Sequence, residues 1–495
     1  MPRFRPIALL AAGLVACEGP SLPSDEYVLQ DEVEVIRDSL GVVHIRAEND
    51  LDLFYASGYM QAYDRLFQMD LTRRRALGRR AEVLGPSAVA DDTIVRVVGI
   101  ERWAREAARI MRDEHPEDYR LLVAWTAGVN ARIDEVLAGE APLPYGFGPD
   151  ELDYLPERWD PVDGIAVGKL ILFGNANLLE PEILATVIRD FQPEAYARIP
   201  LMAPVIDAYT LPPDERPVGG MASAPIVHAP PRELPRLPPD AAERLRERLF
   251  DVVPSLTAQF ASNNWALDGL HTENGRPLIA GDPHQPLRSP SLFWMQHLNS
   301  ADAGGRFDVV GFSFVGTPTV QLGHNRHIAW TATTTYPDVS DIWDVRVTGG
   351  EVHVGSERVA IERREEVIEV AGREPVTIVV EEVPGYGVLL PDEVLPLPLV
   401  GSGRRVLYRW VGMQPTFEGE AFLAIDHAET LEDFEAAVDR MELGCFNWLA
   451  ASADGIAYRS SPLVPDRGPD ATSRTYWALL DGDDPSTFWT GSYLG

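Results

Sequence analysis

The sequence predicts an α+β protein in which helices come first and strands follow. Up to about residue 192, apolar positions recur mostly at helical spacings of three or four. From Trp265 onward, short apolar runs of strand length replace them. Residues 203–240 lie between the two parts and are rich in proline, which favours a connecting segment. Helices and strands segregated in this way along one chain are typical of α+β folds.

The first part predicts a hairpin and then a series of helices. Residues 33–45 have the alternation and turn residues of a hairpin. Asn49 and Asp50 cap a helical region predicted to run from Leu51 to Leu84, and further helices are predicted over 101–139 and 161–192, with a break at Pro181. Five arginines crowd the end of the first region, which favours a solvated face over an anion site: Arg73, Arg74, Arg75, Arg79 and Arg80.

The second part predicts a succession of strands. Apolar runs appear at 265–269, 277–281, 292–298, 307–315, 318–323, 327–333 and 341–347. Residues 351–382 alternate strongly enough to predict a meander, and 449–458 predict a hairpin turning at Asp454-Gly455. One more helix is predicted over Thr430 to Met441.

Net charge excludes one class of partner. The 495 residues carry a formal charge of −33. Nucleic acids and anionic membrane surfaces would repel such a chain on average. We therefore expect no nucleic-acid partner.

The N-terminus predicts export. Arg3 and Arg5 precede an apolar run, 7–16, that is too short to span a bilayer. The run ends in Leu14-Val15-Ala16-Cys17, which resembles a bacterial lipobox with Cys17 as the lipid-bearing residue. The alternative is a plain secretory signal cleaved nearby. We expect a periplasmic or membrane-anchored lipoprotein of a Gram-negative bacterium, which touches a membrane only through Cys17. Cys445 would then be a free, buried thiol.

A serine near the middle of the chain is the candidate nucleophile. Ser262-Asn263-Asn264-Trp265 has the composition of an ordinary turn that opens a strand. It also suits a site where the chain cuts itself and exposes Ser262 as a new N-terminus. The serine hydroxyl would then be the nucleophile and its own α-amino group the base. The Gly-x-Ser-x-Gly, Walker, His-Glu-x-x-His and Cys-x-x-Cys motifs are absent from the sequence.

The chain resembles the penicillin acylase family of N-terminal-nucleophile hydrolases. Motifs spread over about residues 33–490 carry the resemblance, and their order and spacing matter more than any one of them. They are Val35-Ile36-Arg37-Asp38, Gly41-Val42-Val43-His44-Ile45, 58–66, Ser262-Asn263-Asn264-Trp265, Asp282-Pro283-His284, Gly323-His324-Asn325, Ile328-Ala329-Trp330, Asp338 with Asp341, Asn447-Trp448 and Pro465-Asp466-Arg467.

The resemblance implies an αββα sandwich and a set of catalytic residues. It assigns the nucleophile to Ser262, and the oxyanion donors to the Asn447 side-chain amide and the Thr334 backbone N–H. The His284 backbone would contact the attacking serine, and Arg467 would orient the amide and the α-amino group. Taken singly, Asn447 is equally an ordinary strand-end residue, His284 a loop residue and Arg467 an ion-pair partner.

The resemblance also implies a calcium ion between the two halves. Its ligands would be Glu182, Asp338, the Ser340 carbonyl and Asp341. Calcium takes six to eight oxygens, so this set is incomplete. The alternative is that Asp338 and Asp341 merely flank a turn.

These expectations give a domain organisation. Residues 1–17 form the signal segment, 18–230 an α-subunit-like region, 231–261 a spacer and 262–495 a β-subunit-like region. Self-cleavage would give an α/β heterodimer. Second subunits in the family commonly continue further than 262–495 does here, so the resemblance leaves a C-terminal truncation open.

The predicted reaction is hydrolysis of a small-molecule acyl amide. The resemblance places 170–177 and Gln285 near the acyl pocket, and the segment offers Leu172, Phe173 and Ala176. Gln285 stands where the family often has an apolar wall residue, which predicts weak activity on penicillin G. Two other functions remain open: an acyl-homoserine lactone acylase, and a truncated, inactive homologue that serves as a surface lipoprotein.

Overall fold

The computed structural model describes the chain in several ranges. They are residues 26–176, 261–285, 289–335, 337–392, 394–395, 399–461, 463–468 and 478–494, with the separate positions 179, 182, 183, 185, 186 and 189. The predicted signal segment with Cys17, nearly all of the predicted spacer and the predicted break at Pro181 lie outside these residues. No helix within the ranges is both long and apolar enough to cross a membrane.

Helices dominate the first part, and strands with two short helices make up the second, which confirms the α+β prediction. The helices are α1 (Asp50–Ala76), α2 (Ala81–Leu84), α3 (Val89–Val98), α4 (Ile100–Glu114), α5 (Pro116–Leu137), α6 (Pro161–Ala176), α7 (Glu418–Asp426) and α8 (Leu431–Val438). Asn49 caps α1 as predicted, because its side chain accepts a hydrogen bond from the Asp52 backbone N–H. The helical patterns in the sequence do not predict α3 or α7.

The prediction of one helical region from Leu51 to Leu84 is wrong between α1 and α2. Gly78 lies in that interval with a φ of 61°, a left-handed conformation that an α-helix cannot include. The Arg79 N–H donates to the Arg74 carbonyl, so the chain turns before α2 begins. Apolar periodicity continues across such a turn and hides it.

The expectation of a solvated arginine face is wrong for the first two of the five arginines. Arg73 and Arg74 are only 2% exposed. Arg74 Nε donates to Asp70 Oδ2 at 2.8 Å, and Arg73 Nη2 donates to Asp70 Oδ1 at 3.0 Å. Glu157 also pairs with both guanidinium groups. These carboxylates neutralise both guanidinium groups and accept most of their donors, which allows the two side chains to be buried, although Arg73 Nε donates no hydrogen bond.

The strands form two large sheets and two small ones. Sheet A has the order β1 (Glu34–Arg37), β2 (Val43–Arg46), β5 (Phe293–Asn299), β6 (Asp308–Phe314), β7 (Leu322–His324), β8 (Ile328–Thr334), β16 (Phe446–Ser452) and β17 (Gly455–Ser460). Only the β2–β5 pair is parallel in this sheet. The predicted hairpins β1–β2 and β16–β17 are confirmed.

The second large sheet contains the strands predicted over 351–382, but they form two separate hairpins at opposite edges of the sheet, so the prediction of a single meander is wrong. The order of this sheet is β11 (Glu357–Ala360), β10 (Glu351–Val354), β9 (Ser340–Thr348), β15 (Arg404–Trp410), β14 (Gly387–Leu389), β13 (Val376–Val383) and β12 (Glu362–Ile368), with β19 (Leu480–Asp481) parallel to β9. The small sheets are β3 (Ala261–Leu267) with β4 (Leu278–His284), and β18 (Val464–Pro465) with β20 (Tyr493–Leu494).

Two glycines let α1 and α5 cross closely. A Cβ atom on Gly58 would lie 2.0 Å from the Trp125 carbonyl oxygen, and one on Gly128 would lie 1.8 Å from the Tyr55 carbonyl oxygen. Helix α1 also contacts β2 and β5. Ser57 on α1 donates to Gln296 on β5 at 2.7 Å. The helical part therefore packs directly on sheet A.

Candidate active site

Ser262 lies on a hairpin whose register determines its neighbours. Strand β3 pairs with β4 so that Ser262 is opposite Pro283 and Ala261 is opposite His284. Asn263 is opposite Asp282 in the same ladder. The predicted motifs at 262–265 and 282–284, separated in the sequence, therefore lie side by side.

This hairpin packs against two strands of sheet A, β8 and β16. Gly281 on β4 makes one of these contacts possible, because a Cβ there would lie 1.7 Å from Thr331 Oγ1. Asn264 Nδ2 donates to the Asn447 backbone carbonyl at 3.1 Å. The strand that carries Ser262 is thus hydrogen-bonded to the strand that carries a predicted oxyanion donor.

The Asn447 side chain has a defined orientation. Its carbonyl Oδ1 accepts from the Tyr458 hydroxyl at 2.7 Å. Its Nδ2 donates to Thr333 Oγ1 at a longer 3.3 Å. Because Tyr458 engages the amide oxygen, the amide presents its NH₂ as the donor on the other side. A hydroxyl acceptor at 3.3 Å holds that NH₂ only loosely.

Ser262 and Thr334 line one cavity. The walls combine aromatic rings with a few polar groups: Asn175, Pro283, Gln285, Phe293, Phe314, Gln321, Leu322, Ala332, Phe422, Phe446 and Trp448. Asn447 is adjacent, because its neighbour Phe446 is paired in register with Thr334. The structure therefore gathers Ser262, Thr334 and Asn447, together with Gln285, which was expected near the acyl group.

A second, mostly apolar cavity shares three wall residues with the first: Phe314, Gln321 and Phe422. Its other walls include Leu122 and Leu172. The chain's single lysine, Lys169, also lines it. Lys169 Nζ donates to Thr416 Oγ1 at 2.9 Å and to the Gln414 carbonyl at 3.0 Å, and burial lowers its pKa to about 8.

Two of the predicted site residues have other contacts. The His284 ring lies 2.8 Å from Asp282 Oδ2 and is partly exposed, while its backbone is paired with Ala261. Arg467 Nε donates to Asp341 Oδ2 at 2.8 Å. Arg467 Nη2 lies 3.0 Å from Asp338 Oδ1. The predicted catalytic arginine therefore contacts the predicted calcium ligands.

The predicted calcium ligands form a buried acidic cluster. Glu182 Oε1 accepts from Ser340 Oγ at 2.8 Å, and Trp489 Nε1 donates to Asp341 Oδ2 at 2.5 Å. Burial, together with repulsion from Asp341 and Asp338, raises the pKa of Glu182 well above its ordinary value. Burial and the Asp338 charge raise the pKa of Asp341 to about 8, against the attraction of Arg467. Three carboxyl groups thus share one buried site with Arg467.

The oxygens in this cluster suit a hard cation. One buried oxygen on each of Glu182 and Asp341 accepts no hydrogen bond, whereas Asp338 Oδ1 is ion-paired with Arg467. Calcium prefers carboxylate oxygens of this kind. However, among the described side chains no three acidic, histidine or cysteine groups are close enough together to bind a metal ion, and Arg467 contacts two of the carboxylates.

Cys445 is a free, buried thiol, as predicted. Its φ of 39° is positive, which is unusual for a residue other than glycine. Its carbonyl accepts from the Thr335 N–H at 2.8 Å. The conformation therefore turns the chain into β16 immediately before Phe446 and Asn447.

Asn264 and Tyr458 contact Asn447, and neither of them has a predicted role. Asn264 belongs to the Ser-Asn-Asn-Trp motif, but the residue types in that motif do not indicate its hydrogen bond to Asn447. Tyr458 lies directly across the β16–β17 hairpin from Leu449, two positions after Asn447. The predicted β16–β17 hairpin is the sequence signal that brings Tyr458 close to Asn447.

Comparisons with known proteins agree on one family. A family model described as penicillin amidase matches residues 32–495. The penicillin acylase 2 proenzyme of Pseudomonas sp. (strain SE83) is 33% identical over 64% of this chain and 38% of its own length. The acyl-homoserine lactone acylase QuiP of Pseudomonas aeruginosa is 27% identical over 97% of this chain and 55% of its own length.

A third relative gives a similar picture. The penicillin G acylase of Escherichia coli is 26% identical over 90% of this chain and 55% of its own length. The chain spans from 38% to 55% of the length of these three curated relatives.

Proposed function

The chain belongs to the penicillin amidase family, and we propose that it hydrolyses acyl amides through Ser262 after cutting itself at that residue. One observation carries the proposal: Ser262 and Thr334 line a common cavity beside strand β16, which carries Asn447. The strand of Ser262 is hydrogen-bonded to β16 through Asn264. Acyl transfer needs a nucleophile and donors aimed at the developing oxyanion. The residues proposed for both tasks are close together.

Self-cleavage comes first because the uncut chain has no base at Ser262. Its nitrogen is part of the peptide bond to Ala261. Ser262 Oγ attacks the Ala261 carbonyl carbon, an ester forms, the C–N bond breaks and the nitrogen takes up the proton. Water then hydrolyses the ester, which leaves a carboxylate on Ala261 and a free amino group on Ser262. The products are the two subunits of the proposed α/β heterodimer, with 231–261 as a spacer that is trimmed afterwards.

Amide hydrolysis then uses the new amino group. An α-amino group has a pKa of about 8, so a useful fraction is neutral near physiological pH. It takes the Ser262 hydroxyl proton as Oγ attacks the substrate carbonyl. Asn447 Nδ2 and the Thr334 N–H stabilise the oxyanion, each such donor being worth about 3–4 kcal/mol. The amino group returns the proton to the departing amine, and water later releases the acyl group.

Arg467 and His284 have supporting roles in the proposal. The His284 backbone, paired with Ala261, helps hold the end of β3 in place. Arg467 neutralises part of the acidic cluster. An orienting role of Arg467 toward the Ser262 amino group remains a prediction.

We also propose that the acidic cluster binds calcium. Glu182, Asp338 and Asp341 would supply carboxylate oxygens, and Ser340 its backbone carbonyl. The buried oxygens of Glu182 and Asp341 that accept no hydrogen bond support this assignment, because such atoms are costly without a partner. Bound calcium would offset the repulsion among the three carboxylates.

The walls of the two cavities favour an apolar acyl group. An acyl chain on Ser262 would meet Phe314 and Phe422, which also border the second cavity. Leu172, expected near the acyl group, lines that second cavity. This observation favours linear acyl chains over the compact phenylacetyl group, and it makes acyl-homoserine lactones the second candidate substrates.

A substrate panel tests the proposal. Purified protein would be given p-nitroanilides of phenylacetic, hexanoic and decanoic acids and an acyl-homoserine lactone, with Ser262→Ala as control. We expect turnover of the linear chains, weak turnover of phenylacetyl and none by Ser262→Ala. An exclusive preference for phenylacetyl would contradict the acyl assignment. No turnover of any substrate would favour an inactive homologue.

We propose in addition that the protein is exported and anchored through Cys17. In a Gram-negative host, Cys17→Ser should move the protein from the membrane fraction to the soluble fraction. A wild-type protein already found in the soluble fraction would contradict the anchor.

A further inference from the structure

We propose that His44 and His297 form a binding site for a divalent transition-metal ion, separate from the candidate active site. The two residues are directly opposite each other on the parallel strands β2 and β5. Their Nδ1 atoms are 3.0 Å apart, and their rings meet edge to face with centroids 5.2 Å apart. Imidazole nitrogens are common ligands for nickel, copper and zinc.

Carboxylates on the far side of each ring determine which nitrogens carry protons. His297 Nε2 lies 2.8 Å from Asp308 Oδ1, and an ionised carboxylate can only accept, so Nε2 is the donor. His44 Nε2 lies 3.5 Å from Asp38 Oδ2, which favours the same arrangement more weakly. When both rings are neutral and both Nε2 atoms carry the proton, the two Nδ1 lone pairs face the same gap; in the other His44 tautomer, Nδ1–H would instead donate to His297 Nδ1. Two lone pairs at 3.0 Å repel unless a cation, either a proton or a metal ion, lies between them.

The geometry suits a metal with adjacent coordination positions about 90° apart. A metal ion about 2.1 Å from each Nδ1 would have an N–metal–N angle of about 90°, because the two Nδ1 atoms are 3.0 Å apart. Square-planar and octahedral ions such as Cu²⁺ and Ni²⁺ offer such positions. Carboxylates bonded to the second ring nitrogen are the usual outer partners of metal-binding histidines, and Asp308 has that position here.

The surroundings allow a cation to enter. The His44 and His297 side chains are 33% and 22% exposed, so water could fill the remaining coordination positions. Asp38 and Asp308 contribute negative charge, and Arg326 pairs with Asp308. In the described part of the chain no larger group of metal-binding side chains is present, so the site would have two protein ligands. Calcium prefers oxygen ligands and would not compete for imidazole nitrogen.

Such a site would join distant parts of the chain. His44 precedes Ser262 and His297 follows it, and the two histidines are 253 positions apart. A bound ion would stabilise the β2–β5 pairing whether or not the chain is cut. Metal binding at this site therefore does not depend on the proposed amidase activity.

Copper titration of the untagged protein in excess calcium tests the proposal. We expect one tight Cu²⁺ equivalent whose electron paramagnetic resonance spectrum shows coupling to two imidazole nitrogens. His44→Gln and His297→Gln should each lose this signal, and Asp308→Asn should weaken binding about 10–100-fold. His353→Gln is the matched control, because His353 is a half-buried strand histidine bonded to Thr348, and this variant should bind copper as the wild type does.

The wild-type protein alone can decide the question, so a variant that fails to fold does not obscure the result. Absence of a tight equivalent with two-nitrogen coupling would mean that the pair shares only a proton. Retention of the same signal in a folded His44→Gln, His297→Gln double variant would also overturn the proposal.

Discussion

Asn264 Nδ2 donates to the Asn447 backbone carbonyl at 3.1 Å, which ties the strand of the candidate nucleophile to the strand of the candidate oxyanion donor. The two residues are 183 positions apart in the sequence. In the proposed mechanism a substrate carbonyl fits between Ser262 and Asn447, and this hydrogen bond holds the two strands that carry those residues at a set distance. Asn264 is therefore a positioning residue in the proposed mechanism.

Asn264→Ala should lower kcat about 10–100-fold, because a misplacement of about 1 Å at a reacting centre can cost two orders of magnitude. KM should change less than kcat, since the substituted side chain does not bind the acyl group. Steady-state kinetics on a decanoyl anilide, with intact mass to confirm self-cleavage, measures the effect. Asn263→Ala, which removes the exposed neighbouring amide, should cost much less. Equal losses in both variants would show that the Asn264 hydrogen bond has no specific role.

Tyr458→Phe tests the orientation of the Asn447 amide. Loss of the 2.7 Å hydrogen bond frees the amide to rotate, and a bond worth about 1 kcal/mol corresponds to roughly a fivefold fall in kcat. Asn447→Ala removes the donor itself and should cost about 100–1,000-fold. The double variant should be no slower than Asn447→Ala, because Tyr458 acts through that residue. Additive losses in the double variant would argue that Tyr458 acts independently.

Chelation should destabilise the protein if the acidic cluster binds calcium. Removing a ligand that binds only the folded state lowers stability by RT ln(1 + [L]/Kd). We expect a lower Tm in a calcium chelator, and no chelator effect in Asp341→Asn. Differential scanning calorimetry with and without added calcium measures both. Asp344→Asn is a suitable control, because Asp344 is on the same strand as Asp341 and its buried carboxylate pairs with Arg404. An unchanged wild-type Tm would count against the site.

Glu442 should make stability depend on pH. Burial, with repulsion from Glu418, raises its pKa to about 7 despite the attraction of Lys169. A carboxyl group whose pKa is raised by folding stabilises the folded state while protonated. That contribution is complete below the ordinary carboxyl pKa of about 4.3 and is lost as pH rises through about 7. One buried Glu442 oxygen accepts no hydrogen bond, which agrees with a preference for the protonated form.

Glu442→Gln carries a neutral amide at every pH and should remove this contribution. Its Tm relative to the wild type should therefore rise between pH 4.5 and pH 7.5. Thermal melts in buffers of matched ionic strength measure the difference, with the exposed Glu432→Gln as control. A constant difference between variant and wild type across this range would show that Glu442 has its ordinary pKa when folded.

Local patterns in the sequence predicted much of the fold. Short apolar runs predict most strands of sheet A, and the turn residues Asp454-Gly455 predict the β16–β17 hairpin. Asn49 is predictable as a helix cap because its partner is three residues away. The parallel pairing of β2 with β5 was not predictable, because it joins positions about 250 residues apart. The burial of Arg73 and Arg74 depends on Glu157, which is also distant in the chain.

The candidate site shows the same division. Motifs named Ser262, Thr334 and Asn447, and the structure places them around one cavity and its adjoining strand. The contacts of Asn264 and Tyr458 with Asn447 depend on strand register and hairpin packing, which residue types alone do not reveal. The same holds for Arg467, whose pairing with Asp338 and Asp341 follows from the packing of distant segments.

The central claim is that Ser262 becomes an N-terminus, and intact mass spectrometry with N-terminal sequencing of the purified protein tests it most directly. We predict a fragment that begins Ser262-Asn263-Asn264-Trp265. Ser262→Ala should remain one chain and be inactive, whereas Ser262→Cys should still cut, because a thiol is also a nucleophile. A wild-type protein that remains a single uncut chain and yet hydrolyses acyl amides would contradict the mechanism.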